Sequence, residues 1–114
     1  MGKVRELRKL ARSLGAGRRN AEGLRLFERE VIGLRVNLEK VFSVGEQLPP
    51  RKRLRKANML CRMAEIVLSL RRDPAISETF NGVLGSLERA LEKVEEQRER
   101  FIAVNPQLQR KRRN

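Results

Sequence analysis

Apolar residues recur along this chain at steps of three and four and nowhere alternate one by one, which predicts helices and no strands. The first predicted helix runs from about Lys3 to Leu14, with Val4, Leu7, Ala11 and Leu14 on one face, and Gly15, Ala16 and Gly17 end it. Asn20 is placed to cap the second, which runs from Ala21 to about Gln47. Its apolar positions Leu24, Phe27, Val31, Leu34, Leu38 and Val41 form a heptad seam, with Gly45 and Leu48 continuing the register until Pro49 and Pro50 stop it. Pro50 then suits the first turn of a third helix reaching about Arg72, apolar on nearly every side between Met59 and Leu70. Asp73 caps a fourth, from Pro74 to about Val104, where Ile76, Phe80, Val83, Leu87, Ala90, Val94 and Phe101 again step by four and three until Asn105 and Pro106 end it.

Two seamed helices around one very apolar helix, joined by short connections, give an all-α fold: an antiparallel helical bundle or coiled hairpin of about four helices. Residues 1–105 read as a single helical domain and residues 106–114 as a basic flexible tail. The apolar surplus of the third helix predicts self-association, a homodimer first.

Composition changes this picture through charge. The 114 residues carry 27 Lys and Arg against 14 Asp and Glu, a formal net charge of +13. A balance of that size calls for a polyanionic partner or an acidic protein surface. The charge is unevenly spread. Residues 1–20 hold seven positive and one negative, residues 51–72 eight and one, and residues 106–114 four and none. The seamed stretches 21–50 and 73–105, with four positive against five and seven negative, are near neutral or acidic.

The middle island carries the functional expectation. Arg51, Lys52, Arg53, Arg55 and Lys56 fall in the first turns of a helix. There the partial positive charge of the peptide groups disfavours cations by roughly 0.3–1 kcal/mol each at low salt. Helix end and side chains therefore favour the same ligand, an anion such as phosphate. Arg51, Arg55, Asn58 and Arg62 fall on one helical stripe about 16 Å long, enough to meet two or three phosphates of a strand. The competing reading is a solvated face that balances the acidic fourth helix. Further basic surface comes from Arg5, Arg8, Lys9 and Arg12 on the first helix, from Arg18 and Arg19 after it, and from the tail residues Arg110, Lys111, Arg112 and Arg113.

These residues predict nucleic-acid binding by sequence-tolerant contact with the phosphate backbone. There is no helix-turn-helix frame for base readout, and the four phenylalanines, Phe27, Phe42, Phe80 and Phe101, sit mostly at core spacing, away from any base-stacking surface. RNA is favoured over DNA, because a rigid helical surface suits an A-form groove or a structured RNA. The alternative expectation is a helical adaptor or assembly subunit whose seams dock a partner helix and whose charge meets an acidic protein.

Enzyme activity is not expected. His, Tyr and Trp are absent, and Glu88, Glu92, Glu95, Glu96 and Glu99 interleave with Arg89, Lys93, Arg98 and Arg100 as a salt-bridged surface. No catalytic residue, metal ligand set or cofactor site is assigned. The lone cysteine, Cys61, lies in an apolar run and reads as a small buried hydrophobe. Without an apolar run of about 20 residues or a signal peptide, an intracellular protein is expected, off the membrane and cytoplasmic, with the basic tail also suited to nuclear import. In fold class and charge the layout is similar to the viral silencing suppressors that lay a helical dimer on double-stranded RNA. It is likewise similar to the small helical subunits of CRISPR effector complexes. Both likenesses imply RNA as the partner, and the second a larger ribonucleoprotein assembly.

Overall fold

Three long helices pack against one another in the computed structural model, which describes Arg5, Lys9, residues 21–43, residue 45 and residues 47–110. Helix α1 spans Ala21–Lys40, α2 Pro50–Ser69 and α3 Pro74–Ala103, with a 3-10 turn over Leu70–Arg72 and a short α4 over Pro106–Arg110. No strand occurs among the described residues, so the fold is all-α. None of the described helices is long and apolar enough to cross a membrane. Arg5 and Lys9 are helical, but the rest of the predicted first helix, including Arg8, Arg12, Arg18 and Arg19, lies outside the described residues, as do Lys111, Arg112 and Arg113.

The α1 seam folds as its spacing dictates: Phe27, Val31, Leu34, Leu38 and Val41 are all buried. The helix stops at Lys40, short of the expected Gln47, because Ser43 takes the Lys40 carbonyl twice, through its backbone N–H at 2.9 Å and its hydroxyl at 2.8 Å. A serine near a helix end competes in this way with the next helical bond. Leu48 consequently sits in the connection and Gly45 is exposed.

Along α3 the expected seam is corrected. Phe80 leaves helical geometry, at φ −116° and ψ 18°, and the buried positions beyond it are Leu84, Leu87, Ala90, Leu91 and Val94, with Val83 only half-buried. The Thr79 hydroxyl bonds back to the Ala75 carbonyl at 2.9 Å, the kind of contact that bends helices. Because α3 packs on both α1 and α2, it needs an apolar face wider than one seam. That is why Leu84 and Leu91 join the core.

Ring and side-chain pairs fix the directions. Phe27 packs in a tilted arrangement against Phe80 with centroids 4.7 Å apart, and Phe42 likewise against Phe101 at 5.2 Å, so α1 and α3 run parallel. Asn58 meets Arg98 and Arg71 meets Glu88, so α2 runs antiparallel to α3. Successive long helices therefore run antiparallel, and the parallel run of α1 and α3 follows from that up-down-up order. The apolar surplus of α2 is mostly covered inside the chain: Ala57, Leu60, Cys61, Met63, Ala64 and Val67 are buried, while Met59 stays 50% exposed. Both seams are mostly interior as well, with Leu24, Val83 and Phe101 half-buried. The segment read as a tail begins with α4, whose Leu108 is only 5% exposed.

Candidate nucleic-acid interface

Two of the long helices begin with proline, and they begin differently. At α3 the Asp73 carboxylate accepts from the Ala75 N–H at 2.9 Å, closing the helix start with an acid. At α2 the preceding residue is Pro49, no side chain caps the helix, and the first turn contains no acid. Pro49 and Pro50 have no N–H to offer, so the amides of Arg51 and Lys52 are the open donors before Arg53 N–H reaches the Pro49 carbonyl at 2.9 Å.

The helix distributes its five cations unequally. Arg51, Lys52 and Arg55 are exposed, Lys56 is half-buried, and Arg53 turns inward, its guanidinium 5.8 Å from the centre of the Phe101 ring. Arg53 is thus engaged with an aromatic face of the chain itself, an attraction worth about 0.5–1 kcal/mol or more. Arg51, Arg55 and Asn58, three members of the predicted stripe, line one cleft of about 630 Å³. Arg62, the fourth, is exposed beyond the cleft, one turn further along α2.

Residues that the spacing of α2 alone does not reveal form the other side. Arg98 and Glu99 come from α3, and the apolar floor is made by Leu54, Ile102 and Leu108. Arg98 donates to the Asn58 side-chain oxygen at 3.1 Å, tying α3 to the stripe. Their spacing along the sequence predicts Arg98 and Glu99 in a salt-bridged α3 surface. The signal that reassigns them is the antiparallel register of α2 and α3, which no local pattern contains.

Glu99 is the acid that shares the cleft lining with the stripe cations. Ion pairs join Arg71 to Glu88 at 3.0 Å and Arg100 to Glu96 at 4.0 Å, but none engages Arg51, Lys52, Arg55 or Arg62 among the described residues. Behind the stripe, Cys61 is buried and its thiol is pushed up from the ordinary value of 9.0, chiefly by burial. The Arg98 guanidinium pulls it down, while Glu95 and Glu65 add to the rise. Of the other predicted basic residues, Arg5 and Lys9 are exposed, and Arg110 closes α4. Compared with protein-family models, curated proteins and solved structures, the chain matches none.

Proposed function

We propose that this chain binds nucleic acid, RNA in preference to DNA, through sequence-tolerant contact with the phosphate backbone along α2, with no reaction step of its own. The observation that carries the reading is the acid-free, uncapped start of α2, where Arg51, Arg55 and Asn58 share one cleft and no ion pair among the described residues engages Arg51, Lys52 or Arg55. Cations held at the positive end of a helix destabilise it when no anion is present. A phosphate relieves that and uses the open amides of Arg51 and Lys52 together with the guanidinium donors. Arg62, Arg5, Lys9 and the basic segment from Arg110 to Arg113 extend the contact along the backbone.

The proposal includes a helical bundle that self-associates as a homodimer. Leu26 and Ile32, each 40% exposed, and Met59 are apolar side chains for such a contact to bury. The decisive experiment compares the native chain with the combined variant R51A, R55A and R62A against single-stranded RNA, double-stranded RNA and duplex DNA. Circular dichroism and light scattering are read beside the titrations. We expect the variant to keep its helicity and oligomeric state while losing affinity for RNA. Unchanged affinity for all three nucleic acids would show that the stripe is not the site.

A further inference from the structure

The cleft holds more than a phosphate-binding surface needs. Its basic residues, Arg51, Arg55 and Arg98, share the lining with the apolar floor residues Leu54, Ile102 and Leu108, and two groups of opposite hydrogen-bonding sense, Asn58 and Glu99, complete it. A volume of about 630 Å³ falls within the range of small-molecule sites, which are mainly apolar with a few placed polar groups. A lipid surface or a bare phosphate chain has no use for a carboxylate in a basic rim. A nucleotide with its base unstacked presents a phosphate, a flat apolar face and a polar edge together.

From this combination we infer that the cleft holds one unpaired guanine nucleotide of a bound RNA strand, an inference that rests on the nucleic-acid reading above. The phosphate lies on Arg51 and Arg55. The base lies on the apolar floor with an arginine plane against it, as unstacked RNA bases do. Arg98 occupies the Asn58 oxygen, so what the Asn58 amide has to offer a ligand is its N–H donors. Those donors suit the O6 acceptor of guanine. The Glu99 carboxylate, an acceptor only, suits the adjacent N1–H and N2–H donors of the same edge. Adenine and cytosine give such a carboxylate one donor group on that edge, and uracil sets a carbonyl oxygen beside its single N–H. Guanine is the base that uses both groups fully, and it adds one base preference to an otherwise sequence-tolerant contact.

The test uses the full chain, a ten-nucleotide oligouridylate and the same oligomer with one central guanosine, adenosine or cytidine. The guanosine oligomer should bind about tenfold or more tightly than the all-uridine one, the discrimination a two-bond contact to a base supplies. Glu99→Gln removes an anion from a basic rim, so it should strengthen binding of the all-uridine oligomer while abolishing the guanosine preference. A charge effect alone would strengthen binding of both oligomers equally, and that outcome overturns the base site. Equal binding of all four oligomers by the native chain also overturns it, while leaving backbone binding intact. If no oligomer binds, both readings fall.

Discussion

Cys61 links the core to the interface, because its thiol is buried in α2 while Arg98, Glu95 and Glu65 act on it electrostatically. At 2% exposure it should resist a thiol reagent at neutral pH until the chain unfolds, and rapid modification of the native protein would contradict its placement. Its raised value also has a consequence for stability. Well below 9.0 the thiol is neutral in folded and unfolded chains alike, and the stability of the buried neutral form is fully present. As pH rises past 9.0 the unfolded chain ionises first, and that stability is lost through the folded value. Urea unfolding followed from neutral to alkaline pH should show a fall that Cys61→Ala lacks. Leu87 is fully buried on α3, and Leu87→Ala should lower unfolding stability by about 2–5 kcal/mol, read as a shift in the urea midpoint at unchanged slope. At this scale periodicity reveals what faces inward: the α1 seam from Phe27 to Val41 is legible position by position. Arg53 is not, because its contact with Phe101 joins residues 48 positions apart, and helical spacing on α2 cannot report which ring lies opposite.

Helix starts carry the argument one level up. Asp73 at α3 and the proline pair before α2 are both legible, since each acts within one turn, and the sequence places both starts where they occur. The contrast between them predicts a separation of stability from binding. Replacing Arg51 and Lys52 together by Glu places acids where the helix end favours them, and should raise stability by about 1–2 kcal/mol at low salt. The same variant should bind RNA more weakly, so thermal unfolding and RNA titration must move in opposite directions. If stability falls instead, the start of α2 is not strained by its cations. Two features were harder to read: α1 stops early through the hydroxyl of Ser43, and beyond Phe80 the buried face of α3 widens past its seam to include Leu84 and Leu91. The pairing of α2 with α3 was harder still. A hairpin folded symmetrically about Asp73 would set Asn58 against Glu88, yet Asn58 meets Arg98 and Glu88 meets Arg71. That stagger brings Arg98 and Glu99 to the cleft. It depends on how three helices pack at once, so only half of the candidate site was visible beforehand.

For the whole molecule, a net charge of +13 is concentrated away from the buried seams, on segments that include the start of α2 and both ends of the sequence. The three mutually packed helices give the α2 stripe a rigid base, and the parallel run of α1 and α3 places Phe42 against Phe101, close to where Arg53 turns inward. Surface charge held on a rigid frame favours a polyanion whose spacing matches the stripe, and it makes affinity depend on displaced counterions. The central claim is therefore tested most directly by the salt dependence of RNA binding, measured for the native chain and for the combined R51A, R55A and R62A variant. On single-stranded RNA each neutralised phosphate contributes about 0.7 to the slope of log affinity against log salt, so the variant should bind more weakly with a slope smaller by about 2. An identical slope and affinity in the two proteins would contradict the account.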